Sequence, residues 1–517
     1  MQANSRTANS IRNAKVALIF YCVNLILQFF SRKVFLDYLG AEVLGLNTTA
    51  QNLLGFLNLA ELGIGAAVSY NLYSPLFNED KQAINDIVSI QGWLYRRIAF
   101  IVITGACVMI CFFPLIFAKA EVPLWYTYGT FLALLVSALL GYFVNYRQIV
   151  LSADQKEYKV TYCLKGGMAV KTIMQIIAIY TLTNGYLWWL VIEVVSAFII
   201  AWILNRTIRR EYPWLSPDLK KGDKLRLKYP QIITKTKQLF FHKIGGFVLS
   251  QTSPLIIYAY ASLTLVAIYG NYMLIIMGVT SLMNALFNGI GSSVGNLVAE
   301  GDKKKIKEIY WKITFIRMWI ASSICFVIYM CGNSFISLWI GERFLLPQMP
   351  FIILITNAFI TLTRTNDVFL AAYGLYQDIW SPIMEAILNL GLSVLLGFYW
   401  GLTGILTGVC ISLLIVICCW KPYFLYTVGF KEKIGEYVQR YIKYIGIILL
   451  SMGMCETLIH SIIEECINSY ITWFFYCLLF LCIYGICSAI LFCCMDSYPR
   501  LFVKSAYSTI LCKIRQL

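Results

Sequence analysis

The chain has 517 residues, 59% hydrophobic and only 13% charged, with a formal net charge of +16 and a mean hydropathy of +0.71. Soluble domains carry about a quarter charged residues, so a soluble fold of this size would lack the polar side chains to cover its surface. The apolar residues fall in long uncharged runs of about 20, the length that crosses a bilayer. Disorder, collagen, coiled coil and a secreted disulfide scaffold are excluded, and an all-α polytopic membrane protein is expected.

In chain order, the polar and basic segment 1–14 leads into an apolar run longer than a signal-peptide core, with no small-residue cleavage site; no removable signal is expected. About fourteen spans follow: 14–36, 44–72, 94–118, 124–148, 160–182, 186–205, 236–260, 264–298, 310–338, 350–373, 379–400, 402–421, 441–460 and 470–495. They divide into a six-helix bundle over 1–205, a basic linker over 206–235, a second six-helix bundle over 236–425, and two additional helices within 426–517. The linker carries Arg209, Arg210, Lys220, Lys221, Lys224, Arg226 and Lys228 with Pro213, Pro217 and Pro230.

With the N-terminus inside, the even-to-odd connections and both termini hold about 33 of the 42 Lys and Arg. The opposite side holds Arg32, Lys33, Lys119 and Arg343, a bias of about eight to one that places both termini and the linker in the cytoplasm. The basic charge is therefore topological, with contact to anionic membrane lipids; nucleic-acid binding is not expected.

A duplication is visible. Gly63-Ile64-Gly65-Ala66-Ala67-Val68 is followed by Asp80-Lys81-Gln82-Ala83-Ile84-Asn85-Asp86-Ile87. Gly289-Ile290-Gly291-Ser292-Ser293-Val294 is followed by Asp302-Lys303-Lys304-Lys305-Ile306-Lys307-Glu308-Ile309. Six spans separate the blocks, an even number, so the copies run in the same direction, as in parallel-repeat transporters. Gly291-x-x-x-Gly295 and Gly404-x-x-x-Gly408 read as small-residue seams for close helix packing, and Gly289-x-Gly291 lacks the strand and third glycine of a dinucleotide site.

No cofactor or metal site is expected. The 17 cysteines sit mostly in apolar runs without CxxC spacing and read as small hydrophobes. The two histidines, His242 and His460, stand far apart in sequence, and no P-loop pattern occurs. The informative residues are charges inside spans: Lys165, Lys171, Lys243, Arg317 and Arg364, with Glu61, Glu193, Asp367 and Glu385. A base at a helix centre costs about 2.5–3.5 kcal/mol on insertion scales, so these groups face protein or an aqueous cavity. Snorkelling is the alternative for Lys165, Arg317 and Lys171, and an i, i+3 pair is the alternative for Arg364 and Asp367. Glu61 and Glu385 read as partners for the bases or as protonation sites. Arg32 and Lys33 end the first span, either as an interfacial anchor or as the outer end of an anion pathway.

Leu39-Gly40-x-x-x-Leu44-Gly45-Leu46, Leu57-x-Leu59-x-x-Leu62-Gly63-Ile64-Gly65-x-Ala67 and Arg96-Arg97 resemble the N-terminal half of bacterial Wzx-type polysaccharide-biosynthesis flippases. Glu385-x-x-x-Asn389-Leu390-x-x-Ser393 and Gly401-Leu402-x-Gly404-x-x-x-Gly408 are similar to that family's eleventh and twelfth spans. The family lies in the multidrug/oligosaccharidyl-lipid/polysaccharide exporter superfamily. The resemblance implies two pseudo-symmetric bundles around a central, often cationic cavity, and export of polyprenyl-pyrophosphate-linked oligosaccharide for O-antigen, lipopolysaccharide or capsule across the bacterial cytoplasmic membrane. Polysaccharide polymerase machinery is the implied partner. Many relatives carry an Asp in the seventh span where this chain reads Ser250-Gln251-Thr252-Ser253-Pro254. In this reading the substrate-binding set is Arg32, Lys33, Lys171, Lys243, Arg317 and Arg364, with Glu61, Glu193, Asp367 and Glu385 as charge partners or coupling groups. A drug/cation antiporter, a membrane-embedded O-antigen polymerase or ligase, and a non-catalytic scaffold are the alternatives.

Overall fold

The computed structural model describes residues 2–61, 63–287, 290–375, 378, 380–462 and 467–500. Regular structure among them is helical, with no strand. An apolar chain in hydrocarbon has no water to satisfy its amides, and a helix pairs them within the segment. Packing divides the chain into two units, Met1–Gly270 and Asn271–Leu517.

The first unit contains α1 (Gln2–Tyr38), α2 (Gly40–Leu57), α3 (Ile64–Phe77), α4 (Lys81–Ile116), α5 (Leu124–Phe143), α6 (Gly167–Thr181), α7 (Gly185–Glu211), α8 (Pro230–Tyr260) and the start of α9 (Leu263–Phe287). The expected span 44–72 is present as two helices. A 3-10 turn at Asn58–Glu61 ends α2, and Gly63 at φ +93° redirects the chain into α3. No side chain fits there, because a Cβ on Gly63 would lie 2.9 Å from the Thr236 carbonyl of α8. Gly45 makes a similar approach, with a Cβ position 1.9 Å from the Leu263 carbonyl.

The basic linker is docked rather than free. The Ser216 and Asp218 amides donate to Asn85 Oδ1 and Ser89 Oγ, each at 2.8 Å. Lys228 pairs with Asp86 at 2.9 Å, and Gly222 lies against Trp93, where a Cβ would stand 2.4 Å from the ring-bearing carbon. These partners are all on α4.

The second unit contains the rest of α9, then α10 (Ile290–Glu300), α11 (Lys303–Ile340), α12 (Gln348–Leu362), α13 (Thr365–Ala372), α14 (Trp380–Leu413), α15 (Gly435–Ile462) and α16 (Tyr470–Met495). The expected span 350–373 is split between α12 and α13. The two expected spans 379–400 and 402–421 fall in one helical run, Trp380–Phe430, which begins with α14 and folds at Gly401 (φ 54°, ψ −133°). Across that fold Ser393 Oγ donates to the Ile405 carbonyl at 3.1 Å, and Cβ atoms on Gly404 and Gly408 would lie 1.9 Å from Leu396 O and 2.5 Å from Ser393 N. This antiparallel contact is the seam predicted for Gly404-x-x-x-Gly408. Gly295 of the other predicted seam has open space at its Cβ position, and its partner Gly291 lies outside the residues whose surroundings are described. The last helix, α16, packs on α11 through the Trp319 and Trp473 indoles, which donate at 3.0 Å to Gly485 O and Cys331 O.

The aspartate block of the duplicated motif folds the same way twice. Glu79 and Gly301 are left-handed, at φ 55° and 78°. Each is followed by an aspartate N-cap: Asp80 accepts from the Ala83 amide, and Asp302 from those of Lys304 and Lys305. The capped helices, α4 and α11, have 36 and 38 residues. Among the described residues ten helices are long and apolar enough to cross a membrane.

Candidate functional site

In the second unit the break between α12 and α13 leaves the Arg364 carbonyl outside the helical ladder. Arg317, from the middle of α11, donates to it through Nη1 at 2.9 Å and lies 4.5 Å from the centre of the Phe287 ring. Arg364 itself reaches back to Glu385 of α14, Nη2 to Oε1 at 3.1 Å. Asp367, the expected i, i+3 partner of Arg364, is 3.8 Å away and takes Lys421 as its nearer partner at 2.6 Å. The site therefore joins three bases with two carboxylates and carries one surplus positive charge.

Arg317 is the surplus: no carboxylate of the described residues pairs with it. The Nε atoms of both Arg317 and Arg364 are buried without a hydrogen-bond partner, and an unpaired donor in a low-dielectric site is costly. Both side chains line a cavity of about 190 Å³ with Thr280, Asn284, Thr361 and Asp367. A neighbouring cavity of about 420 Å³ shares Asn284, Phe287 and Arg317. Two guanidinium side chains that line open volume, each with a buried and unmet Nε–H, suit a planar or tetrahedral oxyanion.

The other sequence-derived candidates are dispersed. Lys171 on α6 is paired with Glu193 of α7 at 2.8 Å. Glu193, whose side chain is 5% exposed, also accepts from Gln175 at 2.9 Å. Its charge is thus met within the first unit. Arg32 is half-buried on α1 beside Gly270, where a Cβ would stand 2.6 Å from Nη2, and Lys33 is exposed. Lys243 lies on α8, but its side chain is outside the described residues, as are those of His242 and His460.

Glu61 belongs to a second pocket, in the first unit. Its Oε1 accepts from the Tyr95 hydroxyl at 2.9 Å, and the Tyr142 hydroxyl donates to Asn58 at 2.8 Å. These groups, with Gln91, Tyr146 and Gln148, line a cavity of about 220 Å³. Sequence reading found Glu61 but missed Tyr95, Tyr142, Asn58 and Gln91. Polar residues that are ordinary in any apolar run become informative only once they converge. It also missed Lys421, which falls at the end of an expected span.

No protein-family model and no curated protein matches the sequence. Solved structures do. A lipid II flippase, MurJ, in an inward closed conformation superposes with TM-score 0.59 at 13% identity, covering 92% of this chain and 99% of that one. An inward-facing multidrug resistance MATE family transporter of the MOP superfamily gives TM-score 0.54 at 14% identity, covering 79% of this chain and 96% of that one. Identity this low speaks to fold and not to substrate. The chain is a multi-pass membrane protein with the fold of the multidrug/oligosaccharidyl-lipid/polysaccharide exporter superfamily.

Proposed function

We propose that the chain is a flippase that moves a polyprenyl-pyrophosphate-linked oligosaccharide, an O-antigen or capsular repeat unit, across the bacterial cytoplasmic membrane by alternating access. One observation carries the reading: the Arg317–Arg364 pocket, with one cation in excess and two guanidinium Nε donors unmet. A pyrophosphate presents the acceptors that such a pocket lacks. The fold shared with a lipid II flippase is one able to move a lipid-linked cargo, and the Lys/Arg bias supports an orientation with both termini in the cytoplasm. Arg32, Lys33, Lys171 and Lys243 are the further bases along the spans that an anionic headgroup would meet.

The energetics need no nucleotide. One charge moved through 100 mV is worth about 2.3 kcal/mol, and an inside-negative membrane favours expelling an anion; two charges on a pyrophosphate diester give roughly 4–5 kcal/mol. The test is paired measurement of membrane abundance and surface-glycan display in cells carrying Arg317→Gln or Arg364→Gln with Glu385→Gln. Display that falls while abundance holds supports the reading; display unchanged in both variants refutes it.

A further inference from the structure

The internal repeat relates the two pockets. Asn58 and Asn284, one in each cavity, both stand five residues before the first glycine of their motif copies, Gly63 and Gly289. Tyr95 and Arg317, again one in each, are both fifteen residues beyond the capping aspartates Asp80 and Asp302. Gln148 and Asp367 each lie five residues past the end of the helix before the break, α5 and α12. The cavities therefore occupy the same place in the two copies, yet their chemistry is opposite. Glu61 stands where the second copy has Phe287, and Tyr95 where it has Arg317.

The first-unit cavity is rich in acceptors. Glu61 has no base paired with it among the described residues. Gln91 is 1% exposed, and its Oε1, like that of Gln148, is buried without a hydrogen-bond partner. The residues that carry these unmet oxygens come from different elements, Gln91 from α4 and Gln148 from the 3-10 turn at Asn145–Gln148, and both residues line the one cavity. The rings of Tyr95 and Tyr142, at 83° with centroids 5.6 Å apart, add flat apolar surface. At about 220 Å³ the space equals roughly seven waters of liquid volume, far more than a single monovalent cation needs and close to one pyranose ring.

We infer that this cavity is a sugar subsite that takes a neutral or amino monosaccharide unit, with Glu61, Gln91 and Gln148 accepting from its hydroxyls and the tyrosine rings packing on its apolar face. The inference rests on the proposed function, and it divides headgroup recognition by polarity: the donor-rich pocket takes the pyrophosphate and the acceptor-rich pocket takes sugar. A uronic acid is disfavoured, because its carboxylate would meet Glu61.

The test uses the full-length purified protein in nanodiscs. Its probes are methyl glycosides of glucose, galactose, glucosamine, N-acetylglucosamine and glucuronic acid, with inorganic pyrophosphate as a separate ligand. Saturation-transfer NMR and isothermal titration read binding. At least one neutral or amino glycoside is expected to bind, the glucuronide more weakly, and affinity to fall about tenfold or more in Glu61→Gln and in Gln148→Leu while pyrophosphate binding is unchanged. Gln91→Leu, on a different helix, gives the same loss and guards against one variant that fails to fold, as judged by gel filtration. Absence of binding by every glycoside overturns the inference, as does binding that survives all three substitutions. So does a Na⁺-dependent thermal shift lost in Glu61→Gln with no glycoside effect, which would assign the cavity to a cation. Pyrophosphate binding lost in Arg317→Gln separates the two levels: if it holds and glycosides fail, only the sugar subsite falls.

Discussion

The sharpest consequence of the second-unit pocket concerns Arg317, because its binding and stability effects should come apart. Its guanidinium makes one hydrogen bond, to the Arg364 carbonyl, touches the Phe287 ring, and carries a buried, unmet Nε on a side chain that lines open volume. A charge-assisted hydrogen bond contributes about 1.5–3 kcal/mol, and a bidentate grip on a phosphate makes two. Losing that grip in Arg317→Gln, with the amide keeping one neutral bond of about 1 kcal/mol, should cost roughly 2–5 kcal/mol of binding, about 30- to 5,000-fold in affinity. Arg317→Lys keeps the charge without the fork and should lie between. Stability behaves differently. Substitution strands the Arg364 carbonyl at about 1–3 kcal/mol, but it also removes a cation that costs about 2.5–3.5 kcal/mol in a span, so the two nearly cancel. Titration of purified protein with a short-chain prenyl pyrophosphate, alongside its thermal midpoint, reads both quantities. Wild-type affinity in Arg317→Gln would refute the argument, and so would affinity that falls only in step with the loss of folded protein.

The neighbouring charges should respond as pairs. Arg364→Gln leaves Glu385, whose side chain is 5% exposed, without its base; a broken buried pair costs about 3–5 kcal/mol. Membrane abundance should drop and recover in the double variant with Glu385→Gln. Lys171→Met should lower abundance in the same way through Glu193, and Lys171→Met with Glu193→Gln should restore it, as immunoblots of membrane fractions will show. Gly408→Ala forces a Cβ to within 2.5 Å of Ser393 N, whereas Gly295→Ala meets open space. Overpacking of this kind costs about 1–3 kcal/mol, so thermal midpoints of purified variants should separate the two. A cysteine placed at Lys224, in the linker docked on α4, is expected to resist membrane-impermeant thiol reagents in intact cells and to react once the cells are opened.

The membrane-protein class was fully legible in the sequence, because long uncharged runs have one physical solution in a bilayer. The repeat was legible for a related reason: its two blocks carry their own local rules, a left-handed residue followed by an aspartate cap, and such rules operate within a few residues. Charges inside spans also announced themselves by their insertion cost, which is how Arg317, Arg364, Glu385 and Glu61 were found before any contact was known. What the sequence did not decide is which of these charges are spent on one another. Lys171 and Arg317 look alike as bases in apolar helices; only packing shows that Glu193, itself held by Gln175, meets the first, while a backbone carbonyl and a ring meet the second. The helix breaks at Gly63 and Arg364, and the fold at Gly401, were hidden as well, since apolar periodicity runs unbroken through a kink. Polar residues such as Tyr95, Gln91 and Gln148 carry no signal along the chain, because a pocket is a property of several elements meeting, and hydrogen-bond satisfaction is settled by neighbours distant in sequence.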